Sequence, residues 1–192
     1  IPFQSSNCAY QIDWPEKFIN KHEGNPLKNI EVSCLDKQQK GELVITSFGL
    51  EGNAIYAFSP QIREELNAKE KATVFLDLKP MLTAEQLVQK FKKSTLKNTT
   101  DILRTALNLS PEKIGLLKIY TSKETFLDSE LLVSSIKKLP IEIIGSAPLD
   151  EAISTTGGLS LNAVDKSFQL KKLKTNYSVG EMLDWDAPTG GY

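Results

Sequence analysis

The sequence of 192 residues is poor in several of the residues that carry chemistry. It has two cysteines, Cys8 and Cys34, and neither belongs to a CxxC pair. That excludes a disulfide framework and reads as buried or incidental thiols of a reducing, cytoplasmic compartment. It has one histidine, His22, in a polar stretch beside Glu23. A single imidazole cannot assemble a multi-ligand metal site, and no motif around it marks a Ser/His/Asp or Cys/His nucleophile. His22 is therefore expected on the solvated surface. No GxSxG and no GxGxxG occurs, so the chain carries neither a nucleophile elbow nor a dinucleotide fingerprint of its own.

Excess charge of either sign is lacking too. Lys plus Arg is 23 against 24 for Asp plus Glu, a formal net charge of -1. Such a chain has no global attraction for phosphate backbones or anionic membranes. Apolar runs are strand-sized, as in Ile141–Ile144, and none approaches the roughly 20 residues of a spanning helix. The first ten residues lack the basic start and apolar centre of a signal peptide. No repeat and no low-complexity tract is visible. The absence of an initiator Met and the abrupt Gly190-Gly191-Tyr192 end read as cuts through a longer protein.

What is present is ordinary globular patterning. Residues 1–28 read as irregular, punctuated by Pro2, Pro15 and Pro26. Residues 29–36 alternate apolar and polar, residues 42–48 are rich in β-branched side chains, and residues 38–41 between them read as the turn of an antiparallel hairpin. Asn53–Phe58 fits a short helix or more strand. Ser59-Pro60 opens a helix, and residues 72–78 form another strand. Thr83-Ala84-Glu85-Gln86 matches a capping box, with Leu87, Val88 and Phe91 on one face behind it. Further helices are predicted over residues 101–109, from Ser110-Pro111 to about Ile119, and from Asp128-Ser129 to just before Pro140. Strand character returns at residues 141–145. The order gives an α+β fold, with the β segments on either side of the helices belonging to one sheet or barrel. The helices are then an insertion into it.

Candidate sites are sparse. Asp184 and Asp186 are close acids, a pattern that usually means solvated or capping carboxylates. Lysines cluster at Lys90, Lys92, Lys93 and Lys97, and again at Lys171, Lys172 and Lys174. With little aromatic interleaving, they read as solvated faces more than as a nucleic-acid surface. The glycine turns are more informative. Thr155-Thr156-Gly157-Gly158 follows strand-like residues, and Thr189-Gly190-Gly191 follows Gly180-Glu181-Met182-Leu183-Asp184. Glycines allow close backbone approach and expose N–H groups, and a helix after Gly191 would offer its N-terminus to an anion such as a pyrophosphate.

Three segments in order carry a resemblance. They are Gly41–Thr46 with Gly49-Leu50-Glu51-Gly52, then Glu151–Leu159, then Gly180–Tyr192 with its Leu-Asp-Trp-Asp-Ala-Pro-Thr-Gly-Gly-Tyr wording. Together they resemble the HI0933-like bacterial flavoproteins, NAD(P)/FAD-dependent oxidoreductases. The chain departs from that pattern at Ser47 and Asn53, where family members often carry His-Phe-Gly and Gly-Pro.

The resemblance implies a barrel-like antiparallel β part (residues 1–81 and 140–147) with an inserted helical cluster (82–139). Together these make an inserted domain over residues 1–147. Residues 148–192 are then the partial β segment of a returning Rossmann-type FAD domain whose first part lies upstream in the same polypeptide. It implies FAD as cofactor, NAD(P)H as reductant and a small-molecule acceptor in the parent protein, with the fragment alone inactive. Thr155, Thr156, Gly157 and Gly158 match a loop beside the isoalloxazine. Gly180, Glu181 and Asp184 match the ribityl or pyrophosphate region. Thr189, Gly190 and Gly191 match the turn that sets a helix against the flavin. The alternative is a stand-alone binding module that holds RNA through its β part and lysines.

Overall fold

A computed structural model gives the fold, and residues 1–187 are described. The chain opens with short strands β1 (Gln4–Ser6) and β2 (Tyr10–Gln11), then helix α1 (Glu16–His22). The long hairpin β3 (Pro26–Cys34) and β4 (Lys37–Ile45) follows, then β5 (Gly49–Glu51). Helices α2 (Asn53–Tyr56) and α3 (Ser59–Lys69) lead to strand β6 (Ala72–Asp77). The helical cluster comprises α4 (Ala84–Lys93), α5 (Thr99–Asp101) continuing into a π turn (Ile102–Ala106), α6 (Pro111–Tyr120), α7 (Lys123–Leu127) and α8 (Ser129–Lys137). Strands β7 (Leu139–Ile143), β8 (Gly145–Ser146) and β9 (Ser154–Thr156) complete the strands, with single 3₁₀ turns between β8 and β9 and after β9.

This is the expected α+β fold. Seven strands form one antiparallel sheet in the order β7-β6-β3-β4-β5-β2-β8, so the β segments before and after the helices share it. The sheet curls but does not close by pairing its edges. Its two edge strands, β7 and β8, are one chain segment separated only by Ile144, whose amide bonds to the Gln11 carbonyl at 3.0 Å. One bent segment thus serves both edges, which leaves little unpaired backbone to recruit foreign strands. The alternate residues Ile30, Val32 and Cys34, Leu43 and Ile45, Val74 and Leu76, and Ile141 and Ile143 fill the interior. This is the period-two burial a strand requires.

Local chemistry accounts for the helices. Thr83 caps α4 through a complete capping box with Gln86, a motif that satisfies two free N–H groups. Asn98 and Asp128 cap α5 and α8 through their side-chain oxygens. Lys137 ties α8 to the sheet by pairing with Asp77 and donating to the Leu82 carbonyl at 2.7 Å.

Several expectations are corrected. The hairpin turns at Leu35-Asp36, not at residues 38–41, and Leu35 takes a left-handed φ of 52°. The polar run Lys37–Lys40 is exposed strand, paired with Ser33, Val32 and Glu31. Residues 1–28 are ordered, with α1 at their centre. His22 is not solvated: it is 4% exposed, with its ring 4.9 Å from that of Phe18, which lies 5.1 Å from Trp14. The short α1 holds through this stacked face. On the opposite helix, a Cβ at Gly115 would sit 2.8 Å from His22 Nε2, so only glycine lets the ring so close. The helix expected over residues 101–109 runs instead from Thr99 to Ala106, mostly as a π turn, and α7 was not foreseen. Cys8 and Cys34 are buried free thiols, and burial pushes the Cys34 thiol up to about 11.

Candidate functional site

The most connected polar arrangement lies where the chain enters and leaves the sheet. β1 and β9 form a separate two-stranded antiparallel sheet, with Gln4 opposite Thr156, Ser5 opposite Thr155 and Ser6 opposite Ser154. The first residues and the segment beyond 150 therefore run side by side in opposite directions. The Ile1 amine donates to the Gly158 carbonyl at 2.9 Å, and the Gly158 amide returns a bond to the Ile1 carbonyl at 2.9 Å.

The two described glycine motifs meet here, although residues 159–179 separate them. The Leu159 amide donates to the Met182 carbonyl and the Asp184 amide to the Leu159 carbonyl, at 2.9 and 2.8 Å. Gly157 and Gly158 have φ of 93° and 114°. A Cβ at Gly157 would fall 2.2 Å from the Pro2 carbonyl oxygen, and one at Gly158 would fall 2.8 Å from that of Met182. Here the close approach that glycine permits is to the chain's own backbone. Thr155, Thr156 and Asp184 are half-buried, whereas Gly180 and Glu181 are exposed, and nothing lies within 4 Å of a Cβ built at Gly180. Thr189, Gly190 and Gly191 lie outside the described residues.

A polar knot that sequence reasoning did not assemble binds this junction to the body. Asn7, in a left-handed conformation, donates through Nδ2 to Ser154 Oγ at 2.6 Å and to the Ala187 carbonyl at 2.7 Å. Its own amide donates to Ser59 Oγ at 2.9 Å, and the Tyr10 hydroxyl donates to the same oxygen at 2.8 Å. Asp186 accepts from Ser6 Oγ and pairs with Arg63 of α3. Burial in this knot pushes the Tyr10 hydroxyl well above the usual tyrosine range. Of the two acids noted in the sequence, Asp186 is thus a structural anchor. Ser6, Asn7, Ser59 and Arg63 carry no local motif, so only the pairing of β1 with β9 reveals their role.

A cavity of about 160 Å³ beside Asp186 is lined by Ser6, Asn7, Tyr56 and Ser59 among others. That is well below the roughly 300–1,000 Å³ of small-molecule sites. Among the described residues, no group of three or more His, Cys, Asp or Glu side chains is placed to hold a metal ion. Nor is any helix long and apolar enough to cross a membrane.

The fold and junction together define a class: a curled sheet with a helical insertion, whose entering and leaving strands are zipped to each other. The chain belongs to the HI0933-like family, since the family model for the HI0933-like protein barrel and H2TH domain matches residues 4–154. The match begins in β1 and ends in β9, the paired strands of the junction. The family is associated with FAD-dependent proteins.

Proposed function

We propose that residues 1–147 are the inserted, substrate-side domain of a bacterial FAD-dependent oxidoreductase, and that residues from 148 onward begin the return to its FAD-binding domain. One observation carries this reading: β1 and β9 pair antiparallel at the limits of the family match. A domain whose chain enters and leaves at one place can be inserted into another domain without disturbing it.

In this reading an upstream FAD-binding part of the same polypeptide is the principal partner. It packs on the junction face, where Ile1, Phe3, Ile153, Met182 and Trp185 are exposed. Bound FAD would pass hydride from NAD(P)H to an organic acceptor; the protein orients and insulates that chemistry. Thr155, Thr156, Gly180, Glu181 and Asp184 are the described residues offered to the cofactor edge, with Gly157 and Gly158 shaping the turn between them. The inserted domain covers the cofactor and lines the acceptor pocket, because ligand sites favour domain interfaces.

The test is flavin retention. The 192-residue chain is expected to elute colourless from gel filtration, and the same chain extended to include the upstream segment is expected to elute yellow. A yellow 192-residue sample would contradict the half-built site, and a colourless extended protein would contradict the assignment to a flavoenzyme.

A further inference from the structure

A second concavity shares none of its lining residues with the junction. It has a volume of about 750 Å³ and lies between the start of β3 and the helical cluster, within the range of small-molecule sites. Three lysines from three elements line it: Lys28 from β3, Lys79 from the loop after β6, and Lys113 from the first turn of α6. The β3 bulge between Leu27 and Ile30 turns the Asn29 carbonyl toward this space. Lys113 is 6% exposed and donates to the Leu78 carbonyl at 2.8 Å and to the Asn29 carbonyl at 3.3 Å. An ammonium has three donors, so one remains. Burial pulls the Lys113 amine down to about 8, which still leaves it mostly charged at neutral pH.

The ten-residue α6 starts at this cavity. No side chain caps it, and the first-turn amides of Glu112 and Lys113 have no partner within the helix. A helix start alone would mean little, but a buried atom beside it is unsatisfied and a carboxylate there is unpaired. Ser110 Oγ is buried without a hydrogen-bond partner. Glu112 is 8% exposed, and its carboxylate has neither a hydrogen bond nor an ion pair among the described residues. Buried polar groups are nearly always paired, so the orphan Ser110 hydroxyl on this cavity wall needs a complement, while the Glu112 carboxylate, whose oxygens are not fully buried, is free to accept a donor.

We propose that this cavity binds a small phosphate ester that also carries a hydroxyl or amino donor. The phosphate lies against the Ser110–Lys113 turn, with Lys28 and Lys79 beside it, and the donor reaches the Glu112 carboxylate. A helix start with lysines suits the anion, and the unpaired carboxylate can accept from the donor. The site goes beyond the oxidoreductase reading and does not depend on it.

The probes are AMP and inorganic pyrophosphate, titrated at low salt into the 15N-labelled 192-residue chain. AMP is expected to shift the amides of Asn29, Ser110, Glu112 and Lys113. Lys79→Gln is expected to weaken both probes by about tenfold, the loss of one charge-assisted bond. Glu112→Gln is expected to weaken AMP while leaving pyrophosphate unchanged or tighter. That split separates a donor-binding carboxylate from a merely structural one. If neither probe shifts these amides at millimolar concentration, the proposal fails. It also fails if a Lys28→Gln, Lys79→Gln double variant binds as well as the parent, or if a single-stranded oligoadenylate saturates the groove while AMP does not.

Discussion

The segment up to residue 147 and the segment from 148 to 187 are built on different principles. Every member of the main apolar core lies between Cys8 and Ala147, and that core is continuous through the sheet, α1, α3 and the helical cluster. Beyond it, the buried apolar side chains are Val164, Leu183 and Ala187, while Leu161, Phe168, Leu173, Tyr177, Val179, Met182 and Trp185 are exposed. The second segment is held by isolated bridges, single 3₁₀ turns and the Asn7 and Asp186 contacts. The first part encloses a continuous core, although Leu35, Met81, Leu127 and Leu131 remain exposed on it. The second part buries few apolar side chains and leaves most of its large ones exposed. The two tryptophans report the parts separately, since Trp14 is in the core and Trp185 is in the second segment.

The comparison breaks first if the body is less tightly fixed than its packing indicates. At Gly49 a Cβ would fall 1.9 Å from the Tyr10 carbonyl oxygen, between paired β2 and β5. Gly49→Ala is expected to cost about 3 kcal/mol or more, since strands rather than a side-chain tip must move. Urea unfolding followed by Trp14 in a Trp185→Phe background measures it, and a loss below about 1 kcal/mol would show a looser body.

Gly115→Ala is next. In an exposed helix this change would stabilise by about 1 kcal/mol. Here the new methyl meets His22 and Phe18, so a net loss of about 1–2 kcal/mol is expected instead. A rise in stability would remove the close α1–α6 contact from the account.

The same contact predicts a pH dependence. Burial, with the neighbouring positive charge of Lys21, lowers the His22 pKa, against a weaker opposing effect of Glu112. The unfolded chain therefore binds this proton more readily than the folded one. The stability tied to neutral His22 is present above the ordinary histidine value of about 6.5 and is lost as pH falls below that and through the lowered folded value. His22→Phe should flatten that part of the profile, and an unchanged slope would show that His22 is not held neutral.

The smallest effect sharpens the contrast. Asp186→Asn removes the half-buried pair with Arg63 and should cost the body no more than about 1 kcal/mol. The segment around Trp185 should nevertheless become more susceptible to protease. If Trp14-monitored unfolding shifts as far as it does in Gly49→Ala, the two regions are one cooperative unit.

Much of the body was legible because its signals are local. The capping box at Thr83, the Pro starts at Ser59-Pro60 and Ser110-Pro111, and the alternation along residues 72–78 each specify an element from adjacent residues. The hairpin turn was misplaced because a polar run reads the same in a turn as in an exposed strand. Only the pairing of Cys34 with Lys37 fixes it at Leu35-Asp36. Helix α1 and the burial of His22 were illegible because they depend on a glycine 93 residues away, Gly115, that leaves room for the ring.

The candidate site divides in the same way. The glycine motifs were visible, but what fills the space beside Gly157 and Gly158 was not. Asp186 gave no sign that its partner is Arg63, and nothing marked Ser110, Glu112 and Lys113 as walls of one cavity.

By itself, the sequence determined the α+β class, the position of the helical insertion and the family, because periodicity, caps and motif wording act between near neighbours along the chain. Tertiary structure alone decided that β1 lies against β9, that one bent segment serves both edges of the sheet, and that three lysines and Glu112 line one cavity. Those facts join residues far apart in the chain, and their free energy exists only once the intervening polypeptide has folded between them.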